Sequence, residues 1–186
     1  GFAKAGWYGM KRACAPVIAA LAPAGDHVEL WMINDLPEKA SVSYRLFVQP
    51  FSRSAEIFQE DTILLPPNST HKLADFPGDK LKPDIILICD SNHSMGTDRA
   101  IYYPGPLHDV LLPKTKLHVT QRNNGCTGVV TITAEKYARV VTLEGDLDFS
   151  DNYFDLLPGK SREITWTCPA GEFDGSVNVI CWNQLE

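Results

Sequence analysis

The chain has 186 residues, 44% hydrophobic and 22% charged, with a net charge of −6. That length fits one large or two small domains with apolar material for a core. An acidic balance with no Lys/Arg cluster excludes a phosphate-tracking nucleic-acid binder, and no apolar run reaches the roughly 18–20 residues of a membrane-crossing helix.

The chain begins with a helix-forming segment. Ala3, Lys4, Ala5, Met10, Lys11, Arg12 and Ala13 favour helix and Gly6 and Gly9 weaken it. Pro16 ends it, because a residue preceding proline is pushed out of the helical region. Phe2, Trp7, Tyr8 and Met10 are its apolar residues. Lys11 and Arg12 interrupt any signal-peptide apolar core.

After Pro16 the period changes to two. "SVSYRLFVQ" sets Val42, Tyr44, Leu46 and Val48 on one face and Ser41, Ser43, Arg45 and Gln49 on the other, a half-buried antiparallel strand. "DHVELWMIN" alternates likewise, and "DIILICD" is a continuous apolar run suited to a central strand. Pro66-Pro67-Asn68-Ser69 is a turn by composition, and "DSNHSMGTDRAIYY" is a polar turn feeding a last strand. Residues 104–114, "PGPLHDVLLPK", have three prolines and no period, and read as a linker.

Beyond it the strand pattern resumes. "KLHVTQR", Asn123-Asn124-Gly125 and "TGVVTITA" form a hairpin signal. "ARVVTLEG", "SREITWTC" and "GSVNVICWN" complete a set of short strands at the spacing of a β-sandwich. The reading is all-β: two tandem β-sandwiches, residues 16–103 and 115–186, preceded by a short helical segment in residues 1–15.

The densest polar stretch is "SDNYFDLLPGKS", residues 150–161. As a calcium loop it fails. Counted from Asp146, the sixth and twelfth positions, which an EF-hand fills with Gly and Glu, hold Asp151 and Leu157. The loop from Asp90 fails similarly, with Met95 and Ile101 there. Paired-carboxylate catalysis needs two acids held across a cleft, which neighbours on one turn cannot define. Pro158-Gly159 instead suits a type II turn, with Gly supplying positive φ. Phe154, Leu156 and Leu157 would enter the core, while Asp151 and Asn152 bond to nearby backbone. The stretch reads as scaffold.

These residues also carry a resemblance. "SDNYFDLLPGKSREITW", centred on Asp151, Asn152, Tyr153, Phe154, Asp155, Leu156, Leu157, Pro158 and Gly159, resembles the last immunoglobulin-like domain of β-mannosidase-type enzymes of glycoside hydrolase family 2. "KAGWYGMKRACAPV" is similar to the segment closing their catalytic barrel, though Cys14 stands where an aromatic is commoner. "VELWMINDLPEKASVSYRLFV" is similar to the first strands of the sandwich that follows, where a Trp-x-x-Asn-Asp pattern recurs.

The resemblance implies two immunoglobulin-like sandwiches, with residues 1–15 a remnant of the barrel end and Trp7 and Tyr8 facing that barrel. It implies a C-terminal portion of an exo-glycosidase in which the barrel, the partner of these domains, holds both catalytic glutamates. The acid/base glutamate of the family follows an Asn, and no Glu here does. A barrel of about 250 residues has no room in this chain. No catalytic, substrate-binding or metal-ligating residue and no cofactor is therefore expected. The alternative function is a carbohydrate-binding module taking oligosaccharides on exposed aromatics. A third, a cell-surface adhesion tandem, would favour structural disulfides.

His27, His71, His93, His108 and His118 show no metal-ligand spacing. Trp31, Trp166 and Trp182 fall in expected strands, where core filling competes with a sugar platform. Cys14, Cys89, Cys126, Cys168 and Cys181 are too scattered for a zinc framework. Cys89, Cys168 and Cys181 read as core residues, with a Cys168–Cys181 bridge as the alternative.

Overall fold

The computed structural model describes residues 3–51 and 54–184; Phe2 lies outside them. The chain divides into two compact units. One is Arg12–Leu111. The other runs from Leu112 onward and takes in the N-terminal segment up to Lys11. The division falls inside the proline-rich stretch 104–114.

The first unit holds β1 (Val17–Ala24), β2 (His27–Asn34), β3 (Ala40–Pro50), β4 (Glu56–Leu65), β5 (Ser69–Pro77), β6 (Ile85–His93) and β7 (Gly96–Tyr102). They form two antiparallel sheets, ordered β1-β2-β5 and β4-β3-β6-β7. The period-2 pattern of β3 buries Val42, Tyr44 and Leu46 as its alternation requires. Ile85 to Cys89 in β6 are all buried, as a continuous apolar run requires of an inner strand. The core includes Val17, Leu30, Met32, Val42, Leu46, Leu65, Phe76 and Leu87.

One strand was not anticipated. "VIAALAPA" is rich in alanine, whose intrinsic preference is helical, yet it forms β1, paired residue for residue with β2. Burial of Val17 and Ala19 in the sandwich outweighs local propensity.

The second unit holds β8 (Leu117–Asn124), β9 (Thr127–Ala134), β10 (Ala138–Glu144), β11 (Asp148–Phe149), β12 (Phe154–Leu156), β13 (Ser161–Thr167) and β14 (Asn178–Ile180). Its sheets are β11-β13-β9-β8 and β12-β10-β14. Trp166, Ile132, Ile164, Val141, Phe154 and Leu156 lie in the core between them. The β8–β9 turn sits one position later than the sequence suggests. Asn124 pairs with Thr127, so Gly125 and Cys126 are the central residues, with Gly125 at φ 61. Trp182 lies in a turn after β14 rather than in a strand, because pairing with β10 stops at Ile180.

Helix α1 (Ala5–Ala13) forms where helix formers cluster and ends before Pro16. All five cysteines are free, so the Cys168–Cys181 bridge is not made. No helix among the described residues is long and apolar enough to cross a membrane.

Candidate functional site

The motif of residues 151–159 is built around a defect in β10. Ala138 pairs with Leu156 and Val141 with Phe154, so two residues of β10, Arg139 and Val140, oppose the single Asp155. This is a β-bulge, and it holds Val140 at φ 49, a region a β-branched residue rarely adopts. Asp155 meets the bulge directly. Its Oδ1 accepts the Val140 backbone N–H at 2.8 Å, and its Oδ2 accepts the Tyr137 hydroxyl at 2.7 Å. A charged acceptor shared between two such donors is a strong clamp.

Asn152 does a related job one step earlier. It is buried, its Nδ2 donates to the Leu143 carbonyl at 2.8 Å, and its Oδ1 accepts the Leu143 N–H at 2.8 Å. The side-chain amide thus pairs with β10 as a strand backbone would. Local bonding was expected of both Asp151 and Asn152. Asp151 accepts the Asn152 N–H at 2.8 Å and Asn152 Oδ1 the Tyr153 N–H at 2.9 Å, and beyond these Asp151 takes Arg162 at 2.5 Å while Asn152 reaches across to β10. The Arg162 guanidinium also lies 4.3 Å from the Phe154 ring.

The remaining motif residues terminate the segment. Tyr153 adopts φ 55 beside the Asn152 amide. Phe154, Leu156 and Leu157 are buried. Gly159 has φ 66, its N–H donates to the Ala134 carbonyl at 2.8 Å, and Lys160 N–H closes the turn on Leu157 at 3.1 Å. The side chains of Asn152 and Asp155 are committed to holding backbone in place.

Helix α1 docks on this same segment. Tyr8 is 3% exposed, its hydroxyl donates to the Phe149 carbonyl at 3.4 Å, and its ring lies 5.8 Å from that of Tyr153. Lys11 Nζ donates to the Ser150 carbonyl at 3.1 Å. Burial, then the nearby Asp151 carboxylate, pushes the Tyr8 hydroxyl pKa up. The expectation that Trp7 and Tyr8 both face a barrel is thereby corrected for Tyr8. A helix places successive residues about 100° apart, so Tyr8 meets the sandwich while Trp7 stays 52% exposed and Met10 68% exposed.

Asparagine is used the same way at two other places. Asn34, of the Trp31-x-x-Asn34-Asp35 pattern, is fully buried; its Nδ2 donates to the carbonyls of Glu38 and Pro66, and its Oδ1 accepts Leu36 N–H. Asn183 donates to Pro113 and Tyr137 and accepts from Arg139. Each amide satisfies backbone groups that irregular chain would leave orphaned.

The tryptophans divide. Trp166 is core at 1% exposure, and Gly128 opposite it is required by space, since a Cβ there would lie 2.2 Å from the indole. Trp31 is half-buried, its Nε1 bonded to Glu29. Trp182 is 66% exposed, with the Arg139 guanidinium 5.2 Å from its ring. One cluster escaped sequence reasoning: His27, Glu29 and Asp75 converge on the β2–β5 sheet. The signal was a His-x-Glu on one strand face, but Asp75 joins it only through strand pairing.

Residues 112–181 match the family model Ig_mannosidase, described as an Ig-fold domain. No curated protein matches the chain. Among solved structures, the β-D-mannosidase of Dictyoglomus thermophilum matches with a TM-score of 0.84 and 17% identity, over 96% of this chain and 23% of that one. The exo-chitosanase CsxA of Amycolatopsis orientalis matches with a TM-score of 0.67 and 15% identity, over 96% of this chain and 27% of that one. The chain therefore spans about a quarter of the length of these enzymes. Residues 112–181 match an immunoglobulin-fold domain model, and the all-β fold expected from the sequence is shared, over 96% of this chain, with both of these structures.

Proposed function

We propose that these sandwiches are non-catalytic accessory domains of a retaining exo-glycosidase acting on terminal β-mannosides or a related β-glycoside. Their role is to buttress a catalytic barrel in the same polypeptide. The observation that carries this reading is the use made of the motif. Asn152 and Asp155 look like site residues, yet they hold the Leu143 and Val140 backbone. Residues bonded this way shape a domain surface rather than attack a glycosidic bond. The likeness to a β-mannosidase and an exo-chitosanase, each much longer than this chain, supports placement beside a larger catalytic unit. The exposed Trp7 and Met10 on α1 give that unit an apolar contact, alongside the docked Tyr8.

A second reading, a carbohydrate-binding module, draws on Trp182, whose exposed ring could stack on a sugar. Calorimetric titration of the chain with manno-oligosaccharides separates the two. An accessory role predicts no saturable heat, whereas a module binds at roughly micromolar to millimolar concentration and loses that binding in Trp182→Ala.

A further inference from the structure

We propose that His27, Glu29 and Asp75 form a binding site for a divalent transition-metal ion such as Zn2+, on the outward side of the β1-β2-β5 sheet. The placement follows from the strands. In β2 the residues alternate half-buried and buried, so His27, Glu29 and Trp31 share one face. Asp75 pairs with Glu29 across the β2–β5 register, and a bulge between Leu30 and Trp31 shifts the pairing so that Lys72 stands opposite Trp31. That extra residue brings Lys72 and Asp75 to the same cluster, where regular alternation would separate them.

The donor atoms lie close enough for a metal to draw them together. His27 Nε2 lies 3.4 Å from Asp75 Oδ1 and 3.7 Å from Glu29 Oε1, and one ligand atom from each residue lies within 4.8 Å of the others. Metal–ligand bonds of about 2.0–2.1 Å in a tetrahedron set donors roughly 3.3–3.5 Å apart. Two of the three ligands are also oriented from behind. His27 Nδ1 is 3.1 Å from Asp26 Oδ1, the carboxylate–histidine arrangement that leaves Nε2 for a metal. Glu29 Oε2 accepts the Trp31 indole N–H at 2.9 Å, leaving Oε1 for the ion. Three protein ligands leave a fourth position for water.

Lys72 is the competitor. Its Nζ lies 3.2 Å from both Glu29 Oε1 and Asp75 Oδ1, the same two oxygens the metal would use. Its side chain is 40% exposed, so the ammonium can swing into solvent with its proton while the dication takes over both carboxylates. Coordination uses the neutral imidazole, so any proton on Nε2 leaves to solvent on binding.

The competition gives the test its direction. The full chain, stripped with EDTA, is titrated with Zn2+ by calorimetry and with Co2+ by visible absorption, with circular dichroism confirming that each variant is folded. The wild type is expected to bind one ion and to give the Co2+ absorption of a low-coordinate site. Lys72→Ala is expected to tighten binding at least several-fold; His27→Gln and Asp75→Asn are each expected to weaken it at least tenfold. His118→Gln, which alters the exposed His118–Glu135 pair, should change nothing. Absence of one-to-one binding in the wild type overturns the proposal, as does unchanged or weaker binding in Lys72→Ala. Binding retained in both folded His27→Gln and Asp75→Asn overturns it too.

Discussion

The Asp155 carboxylate holds the Val140 backbone N–H at 2.8 Å, and Val140 is a β-branched residue at φ 49. Strain of this kind persists only when its surroundings over-determine it. Here the fixing partner is the one residue that faces the bulge from β12. Asp155→Ala is expected to cost about 2–4 kcal/mol, since it strands two donors once bonded to a charged acceptor. Asp155→Asn keeps an acceptor for Val140 and should cost less than the alanine variant. Urea unfolding of the two variants checks the order.

The buried Asn152 makes a sharper demand, because it needs a donor and an acceptor at once. Asn152→Asp preserves shape but sets a carboxylate oxygen against the Leu143 carbonyl. About 2–4 kcal/mol of destabilisation is expected at neutral pH from the lost bond and the buried like-dipole contact. Protonation restores a donor and burial raises the folded-state pKa, so the deficit should shrink as pH falls toward the ordinary carboxylate range and be smallest below it. A pH series of denaturant melts measures it.

Two glycines separate backbone strain from space. A Cβ at Gly159 meets nothing within 4 Å, so Gly159→Val should cost about 1–3 kcal/mol through its positive φ alone. A Cβ at Gly128 would strike the Trp166 ring at 2.2 Å and the Arg122 carbonyl at 2.5 Å. Gly128→Ala should therefore be the worse substitution although Ala is the smaller side chain. Equal melting temperatures for the two variants would refute the spatial argument.

Much of this architecture was legible in the sequence. Period-2 alternation in β3 and the apolar run of β6 announce their burial, and Pro158-Gly159 announces a turn needing positive φ. The misses are non-local. Alanine-rich β1 has no clear strand pattern of its own, and its place comes from pairing with β2. The Asn152 and Asp155 partners lie on β10, so composition reads these residues as turn formers without showing the strand they hold. The His27, Glu29 and Asp75 group exists only because β5 pairs with β2 and sets Asp75 opposite Glu29.

Tyr8 ties α1 to the second sandwich, so shortening the N-terminus is not neutral. Tyr8→Ala should destabilise the second unit by about 2–3 kcal/mol for the lost burial. Trp7→Ala should change its stability little, since that ring is 52% exposed. Differential scanning calorimetry of both variants tests the contrast.

Thiol chemistry gives an independent check on the cores. Burial pushes the Cys89 pKa up to about 12, with Asp90 and Asp98 adding to the shift, and burial also raises that of Cys181. The thiolate is the reactive form. At pH 8 an aromatic disulfide reagent should label the exposed Cys14 and Cys126 promptly, leaving Cys89 unlabelled until the chain is unfolded. Mass mapping of the labelled peptides reads the result.

The central claim is that these domains support chemistry done elsewhere. Its most direct measurement is the hydrolysis of aryl β-mannosides, β-galactosides and β-glucuronides by the purified chain. The account predicts no release of the aryl group above the buffer rate, because no Glu follows an Asn in the sequence and Asn152 and Asp155 are bonded to backbone. Turnover that co-purifies with the chain and disappears when one of its own carboxylates is replaced, in a variant that still folds, would contradict it.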